Sequence, residues 1–314
     1  MDNRSGRVKL SIVVPVYFNA GNLPVTVERL LLLQEQLKDA DLELVFVDDG
    51  SLDNSWEVIN KLHGLHSGMI KAVKLTRNFG SMAAIEAGFS VATGNCIGMI
   101  SADLQDPPEL FTEMLLHWRN GSECVFAVRA ERDGSFTEKL FSGLFYKLMR
   151  AFAVKDFPDG GFDFFLVDRK VVAAVKDSCE KNTHLMTLIF WFGFPYVTIP
   201  YRRRIRIAGK SRWTLSKKLK LLADAFAGFS YAPIRAASLT GILFAIAAFF
   251  YGGLIIIRRF IYGVEVPGWA ALVLCIVFTS GLQLTMLGII GEYVWRSLDA
   301  ARRRPNYVIE KTCL

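Results

Sequence analysis

The sequence predicts an α/β domain with a mainly parallel sheet, followed by two membrane-spanning helices. Up to about residue 129, short runs rich in β-branched residues alternate with helical stretches, a pattern typical of βαβ units. Residues 236–257 and 266–291 contain no charged side chain, and each stretch reaches the ~20 apolar residues that a bilayer crossing needs. The composition, 52% hydrophobic with a mean hydropathy of +0.30, agrees with a chain that lies partly in lipid.

The strands and helices of the α/β domain follow from apolar runs and their spacing. We predict strands at residues 10–16, 42–47, 70–75, 96–100 and 123–128. We predict helices at residues 23–37, 56–65, 81–92 and 108–118. Since the carboxyl ends of parallel strands share one edge, the residues that follow these strands are expected to form the ligand-binding rim of the sheet.

The second half of the chain is predicted to attach this domain to a membrane. After the α/β domain at 1–212, we expect an amphipathic juxtamembrane helix at 213–235, membrane-spanning helices at 236–258 and 266–292, and a basic tail at 293–314. Nine Lys or Arg and no acid fall between residues 201 and 220, which predicts that the domain and both termini lie on the cytoplasmic side of the inner membrane. A buried helical hairpin is the alternative for the two apolar runs, and their length disfavours it.

The formal charge of +7 and the cysteines narrow the function classes. The basic residues crowd next to the predicted membrane helices and lack interleaved aromatic residues. The charge therefore favours anionic lipid or a phosphate-bearing substrate over nucleic acid. The five cysteines form no CxxC pair and the four histidines form no zinc-binding pattern, which fits a reducing compartment.

Two carboxylates, Asp48 and Asp49, end the second predicted strand and are followed by a glycine turn. Oxygens at such a strand end can accept hydrogen bonds from a base or from ribose hydroxyls, which suits a nucleotide. Pro15, Tyr17 and Asn19, at the end of the first strand, could supply the wall and the stacking surface for the base. The alternative is that the acidic residues only cap the helix that follows.

The turn after the fourth strand offers oxygen ligands for a metal ion. Asp103 and Gln105 lie two residues apart, and a hard cation such as Mg²⁺ or Mn²⁺ binds a few protein oxygens together with water and substrate phosphates. Such an ion would neutralise a departing nucleoside diphosphate. Asp106 precedes Pro107 and is expected to cap the next helix.

Together these motifs resemble a known family, the family 2 inverting glycosyltransferases. The resemblance rests on VVPVYFN, VDDGS, LTRNFG, SADLQDPPE and the paired apolar runs near the C-terminus. It implies a GT-A (Rossmann-like) catalytic domain in residues 1–212. Within the family, the chain is similar to bacterial polyprenyl-phosphate glycosyltransferases related to dolichol-phosphate mannose synthase, above all to the subgroup that glucosylates undecaprenyl phosphate.

For the donor, the resemblance implies that Asp48 and Asp49 bind the nucleoside of a nucleotide sugar, with Arg77 and Asn78 near the same pocket. In the family, an arginine-rich loop that ends in Gly-x-Ser closes over the diphosphate, and residues 206–211 match it. The residues expected to contact the diphosphate or the acceptor phosphate are Arg204, Arg206, Lys210, Ser211 and Arg212. An ordinary basic flank of a membrane helix is the alternative for some of these side chains.

For catalysis, the resemblance indicates Asp103 and Asp163. Asp103, together with Gln105, would hold the metal, and Asp163 would be an acid beside the acceptor. The family's frequent Asp-Ala-Asp reads Ser-Ala-Asp here, with Ser101 at the first position. That departure leaves Asp103 as the one carboxylate ligand of the motif.

The resemblance implies transfer of a single sugar, glucose from UDP-glucose, to undecaprenyl phosphate or another polyprenyl phosphate, for cell-envelope or O-antigen modification. Because a phosphate monoester is mostly dianionic at pH 7, such an acceptor needs little help from a base. Two alternatives stay open: the same chemistry with GDP-mannose or a modified UDP-sugar, and a membrane-anchored nucleotide-sugar-binding scaffold without catalysis. Membrane lipids are expected partners. Small residues in the spans leave a homo-oligomer open, and a downstream flippase and glycosyltransferase would use the product.

Overall fold

A computed structural model describes most of the chain. The described residues are 4, 6–37, 39–103, 105–130, scattered positions between 143 and 158, 161–178, 184–204, 232–262 and 268–314. The predicted amphipathic helix at 213–235 lies outside the described residues except for its last four positions.

The described residues form eight strands and eight helices. The strands are β1 (Val8–Val16), β2 (Ala40–Asp48), β3 (Ile70–Leu75), β4 (Cys96–Met99), β5 (Cys124–Arg129), β6 (Phe164–Asp168), β7 (Tyr196–Tyr201) and β8 (Ile309–Cys313). The helices are α1 (Leu23–Gln36), α2 (Ser55–Leu65), α3 (Ser81–Val91), α4 (Leu110–Arg119), α5 (Arg169–Asp177), α6 (Leu185–Trp191), α7 (Ala232–Tyr262) and α8 (Trp269–Ala301). The five strands and four helices predicted for the first half of the chain are confirmed, with ends shifted by a few residues.

All eight strands belong to one sheet, in the order β7-β5-β6-β4-β1-β2-β3-β8. The pairs β1–β2, β1–β4, β2–β3 and β5–β7 are parallel, whereas β6 runs antiparallel to both β4 and β5, and β8 runs antiparallel to β3. The chain builds outward from β1 through β2 to β3 and then crosses to β4 on the other side of β1. This reversal of strand order is where open α/β sheets bind ligands.

Helices cover both faces of the sheet, which is why its strands are nearly continuous apolar runs. On one face, Ile12 of β1 packs in a cluster with Leu30 of α1 and Phe111 of α4. On the other face, Val13 of β1 packs in a cluster with Phe89 of α3. The two buried faces hold the strand ends in a fixed register, so the rim that they form is rigid.

Two long helices follow the α/β domain. Within α7, Ile234–Arg258 is long and apolar enough to span a membrane, and it is the one such segment found among the described residues. Helix α8 lies against α7, where the rings of Phe244 and Phe278 are 5.4 Å apart. The predicted spans at 236–258 and 266–292 fall largely within these helices, but α8 continues past residue 292 to Ala301.

The predicted basic tail at 293–314 contains a strand. After α8 ends, β8 adds to the edge of the sheet beside β3, in the register Ala72↔Cys313 to Leu75↔Ile309. The sequence of β8, IEKTC, has two charged residues in five, so no apolar run reveals it. The end of the chain therefore returns to the same sheet that the start of the chain builds.

Candidate active site

The predicted donor residues meet at one rim because the parallel register aligns the strand ends. Val16 of β1 lies beside Asp48 of β2, and Asp48 lies beside Lys74 of β3. Gly50, after β2, has a φ of +64°, and a Cβ at this position would collide with the backbone of Arg77. The turn after β2 and the loop after β3 therefore touch, and the sequence needs a glycine there.

Asp48 is a buried carboxylate with one unpaired oxygen. Its Oδ1 accepts a hydrogen bond from the Ser51 amide at 3.1 Å, whereas its Oδ2 is buried without a hydrogen-bond partner. Burial raises the pKa of Asp48. A buried acceptor without a donor is costly, so the Oδ2 of Asp48 is a ready position for an N–H or O–H of a ligand.

Asp49 uses both of its oxygens to hold the loop after β3. Its Oδ1 accepts from the Phe79 amide at 2.7 Å and its Oδ2 accepts from the Gly80 amide at 2.9 Å. Burial raises the pKa of Asp49 even though these two bonds favour the ionised form. In this geometry Asp49 positions the loop that carries Arg77 and Asn78, and its predicted contact with the nucleoside stays a prediction.

The other predicted donor residues border the same rim. Tyr17 is 37% exposed just beyond β1, and Pro15 lies within β1 beside Val47 of β2. The Arg77 guanidinium stacks over the Phe79 ring at 4.1 Å. These rings and the guanidinium offer flat surfaces next to Asp48, which is the kind of wall that a base requires.

Asn19 contributes mainly through local structure in this geometry, and the backbone of Asn78 contacts the Arg77 side chain. The Asn19 side-chain oxygen accepts a hydrogen bond from Asn22 Nδ2 at 2.8 Å, and its amide donates to Ser55 Oγ at 3.0 Å. The carbonyl of Asn78 accepts from Arg77 Nη1 at 3.2 Å. Asn19 thus ties the start of α1 to the start of α2, and its predicted role as a wall of the pocket stays a prediction.

Asp103 lies in the turn after β4, at the reversal of strand order, and is 9% exposed. The Ser101 Oγ is 2.7 Å from Asp103 Oδ1 and 2.8 Å from Asp106 Oδ2. A hydroxyl has one proton, so Ser101 donates to one of these carboxylates at a time. The Gln105 amide also donates to Asp103 Oδ1, at 3.3 Å.

The oxygens of this turn fit a hard divalent cation that is shared with a substrate. Gln105 Nε2 donates to the Arg204 carbonyl at 3.3 Å, so the amide oxygen is the end of that side chain left to act as a ligand. Among the described residues, no group of three His, Cys, Asp or Glu side chains could hold a metal. Asp103 and Gln105 would therefore be a partial shell, which suits Mg²⁺ or Mn²⁺ completed by phosphate oxygens and water.

Asp106 corrects a prediction made from the sequence. It does not cap α4, since that helix begins at Leu110 after Glu109 and has no side-chain cap. Instead, the fully buried Asp106 accepts a hydrogen bond from the Tyr201 hydroxyl at 2.6 Å through Oδ1. Arg203 Nε lies 3.2 Å from the same oxygen, within ion-pair distance, but donates no hydrogen bond to it.

Asp163 lies just before β6 and forms an ion pair with Arg129, whose Nη2 is 2.5 Å from Asp163 Oδ2. Burial alone would lower the pKa of Arg129, but the charge of Asp163 and a hydrogen bond with Tyr201 raise it. Arg129 and Tyr201 are neighbours because β5 and β7 pair in parallel. Asp168, by contrast, caps α5, accepting a hydrogen bond from the Lys170 amide at 2.9 Å.

The two predicted catalytic carboxylates are joined by a continuous line of polar contacts, which we call the rim network. In order it consists of Asp103, Ser101, Asp106, Tyr201, Arg129 and Asp163. The sequence reasoning missed three of its members, Asp106, Tyr201 and Arg129, as functional residues. Arg129 could have been found, because it ends β5 at the same rim. The contact between Tyr201 and Asp106 could not, because it depends on where β7 lies in the sheet.

Of the predicted phosphate contacts, Arg204 is described. Its amide donates to the Gln105 carbonyl at 2.8 Å, and its guanidinium forms an ion pair with Glu109 at 3.3 Å. These bonds attach the start of the basic segment to the turn after β4 and the residues before α4. Arg206, Lys210, Ser211 and Arg212 lie outside the described residues.

The fold and the site define a class: a GT-A α/β domain, mostly parallel, with acidic strand ends on its ligand rim. The sequence model described as "Glycosyl transferase family 2" matches residues 11–175. The chain belongs to this family and is a glycosyltransferase.

Relatives match over almost the whole chain. It is 39% identical over 309 residues to the "Uncharacterized glycosyltransferase YkcC" of Bacillus subtilis, covering 98% of this chain and 95% of that protein. It is 33% identical over 306 residues to the "Prophage bactoprenol glucosyl transferase homolog" of Escherichia coli, covering 97% and 99%. It is 33% identical over 307 residues to the "Bactoprenol glucosyl transferase" of Shigella phage SfII, covering 97% and 98%.

Among solved structures, the chain aligns with a mannosyltransferase, PcManGT, from Pyrobaculum calidifontis in complex with GDP-Man and Mn²⁺. The TM-score is 0.49 and the identity 16%, covering 93% of this chain and 88% of that chain.

Proposed function

We propose that this chain transfers a single glucose from UDP-glucose, with inversion, to undecaprenyl phosphate or another polyprenyl phosphate at the cytoplasmic face of the membrane. The observation that carries the proposal is the rim network, which holds two carboxylates, Asp103 and Asp163, on one ligand-binding edge. The choice of glucose and of a polyprenyl phosphate is supported by the near-full-length relatives that are named bactoprenol glucosyl transferases.

In this proposal the rim has a donor side and an acceptor side. On the donor side, the unpaired Oδ2 of Asp48 would accept a hydrogen bond from the nucleoside, and the diphosphate would extend towards Asp103 and Gln105. A divalent cation held there would supply charge neutralisation for the leaving diphosphate. On the acceptor side, Arg129 carries a fixed positive charge beside Asp163, which suits a phosphate nucleophile that is already dianionic.

The return of the chain to the sheet supports two membrane spans. The α/β domain precedes α7, and β8, which follows α8, pairs with β3 of that same domain. If α7 crosses the bilayer, α8 has to cross back for β8 to reach the sheet. The absence of charged residues from 266 to 291 agrees with this second span. The excess of Lys and Arg before α7 favours the cytoplasmic side for the domain.

The test is transfer from a panel of nucleotide sugars to undecaprenyl phosphate by the full chain in membranes. UDP-glucose with Mg²⁺ should give a labelled product that extracts into organic solvent, and EDTA should abolish it. Asp103→Asn, which keeps the size of the side chain, should lose the product and also weaken Mn²⁺ binding measured by electron paramagnetic resonance. A product from GDP-mannose or another UDP-sugar alone would reassign the donor. Nucleotide binding without transfer from any donor would refute the enzymatic proposal in favour of a scaffold.

A further inference from the structure

The C-terminal strand β8 reaches the loop that carries the predicted donor residues Arg77 and Asn78. Its register along β3 ends at Leu75↔Ile309, and the Thr76 amide then donates to the Val308 carbonyl at 3.0 Å. Thr76 is the residue directly before Arg77. The backbone of the chain terminus is therefore bonded to the first residue of this loop, which we call the donor loop (76–80).

Side chains before and within β8 brace the same region. Tyr307 and Ile309 pack against the hydrophobic cluster on which Phe79 of the donor loop also packs. Asn306 Nδ2 donates to Glu86 Oε2 of α3 at 2.8 Å. Burial raises the pKa of Glu86, because it disfavours the charged carboxylate. The hydrogen bond from Asn306 opposes this shift and gives the partly buried carboxyl group a partner. The donor loop and the first turns of α3 are thus held from the outer edge of the sheet.

The donor loop has a second support on its inner side. Asp49 accepts hydrogen bonds from the amides of Phe79 and Gly80, at the end of the loop. The bond from Thr76 to Val308 lies at its beginning. A short loop fixed at both ends presents its middle residues in one conformation, and a ligand then does not have to bear the entropy of ordering it.

We propose that β8 is a positioning element for nucleotide-sugar binding: it orders the donor loop so that Arg77 and Asn78 face the nucleotide. This inference rests on the proposed function, since it requires a nucleotide at this rim. β8 is the next element after α8, so the chain connects the helix pair to the donor loop through β8. By linkage, a nucleotide that prefers the ordered loop also favours the paired state of β8.

The experiment compares the full chain with one variant that weakens the support of the donor loop by the C-terminal segment and one that removes β8. Asn306→Ala removes the bond to Glu86, and a chain ending at Arg304 removes the strand. The readouts are the Kd for UDP and the separate KM values for the donor and for polyprenyl phosphate. We expect the donor KM and the Kd to rise about tenfold, equivalent to about 1.4 kcal/mol, with the acceptor KM unchanged. Leu314→Ala, at the exposed terminal residue beyond β8, is the matched control and should match the wild type.

A covalent variant tests the same idea without removing any contact of the donor loop. Cys313 Sγ lies 3.4 Å from Asn60 Oδ1, so Asn60→Cys places a second thiol within reach. The oxidised, cross-linked protein should bind UDP at least as tightly as the reduced one, because β8 cannot separate from β3.

Weaker binding on oxidation would contradict the proposal, as would an unchanged donor KM in both Asn306→Ala and the shortened chain. Equal rises in the donor and acceptor KM values would also contradict it, since they indicate general loss of structure. A wild-type chain that binds no nucleotide would overturn the proposed function together with this inference.

Discussion

Removing the hydroxyl of Tyr201 is the sharpest test of the rim network. Tyr201→Phe keeps the ring, which packs edge-on against Phe164 at 5.8 Å, and deletes only the hydroxyl oxygen, which donates to Asp106 and also forms a hydrogen bond with Arg129. Burial and the negative charge of Asp106 raise the pKa of Tyr201, so this hydroxyl is a proton donor at any physiological pH. The substitution therefore interrupts the rim network at Tyr201, between Asp106 and Arg129.

The expected loss of stability in Tyr201→Phe follows chiefly from the hydrogen bond to Asp106 that is lost. A hydrogen bond to a charged acceptor contributes about 2 kcal/mol, and the distance of 2.6 Å belongs to the short, charge-assisted class. Arg203 stays at ion-pair distance from Asp106, so the carboxylate is not left alone. We expect the free energy of unfolding to fall by about 2 kcal/mol, which lowers the melting temperature by roughly 4–8 °C. We expect the transfer rate to fall about tenfold, since a shifted turn displaces Asp103 from the reacting groups.

The assay pairs thermal unfolding with the initial rate of sugar transfer, and it needs a control that loses a similar bond elsewhere. Ser11→Ala provides it, because Ser11 Oγ donates to the buried carboxylate of Glu43 at 2.5 Å in the amino-terminal half of β1, away from the rim. Ser11→Ala should lose stability and keep its transfer rate. If Tyr201→Phe behaves in the same way as Ser11→Ala, the rim network is a structural feature only and the reasoning is refuted.

Two other groups of residues give predictions with different readouts. Glu43 is buried, and although burial raises its pKa, bonds from Lys9, Ser11 and Thr93 lower it to about 2. Against its usual value of 4.5, this corresponds to about 3 kcal/mol of stability that is present above pH 4.5 and is lost as the pH falls towards 2. Glu43→Gln should therefore lower the melting temperature strongly at pH 7 and less at pH 3, and an equal effect at both would contradict the assignment. Changing the lysines of the predicted juxtamembrane helix, Lys217, Lys218 and Lys220, to Glu should reduce transfer in vesicles rich in anionic lipid, and unchanged transfer would remove its docking role.

The parallel half of the fold was predictable because both faces of its strands are buried. β1 to β4 are apolar runs for that reason, and each is followed by a helix of the expected length. β6 and β8 were not predictable as members of the sheet. Five residues such as Phe164–Asp168 carry no local signal that they insert between β4 and β5 in the opposite direction. β8 carries two consecutive exposed charged residues, Glu310 and Lys311, and its sequence resembles a polar tail because one edge and much of its surface stay in solvent.

The site residues that directly follow strands could be predicted from the sequence. The strand-end rule brought Asp48 and Asp103 to one rim, and the same rule applied to β5 names Arg129. The rule fails at Asp106, because an Asp before Pro-Pro is typical of a helix start and nothing local reveals that its oxygens face Tyr201 and Ser101. Contacts made across non-adjacent segments depend on sheet order, and sheet order is a property of the whole fold.

Ser101 also affects how negative charge is distributed on the turn after β4. Its hydroxyl lies between two carboxylates, but the two are not equivalent, because Asp106 is fully buried and already has Tyr201 and Arg203 beside it. The charge of Asp106 is therefore largely balanced by protein groups, whereas Asp103 keeps an exposed fraction of 9% in the turn after β4. In the proposed site, a serine at this position would leave Asp103 as the carboxylate that faces the substrate, with Asp106 fixed behind it. Replacing Asp103 should thus remove a group that touches the substrate, and replacing Tyr201 or Asp106 should act only by displacing that group.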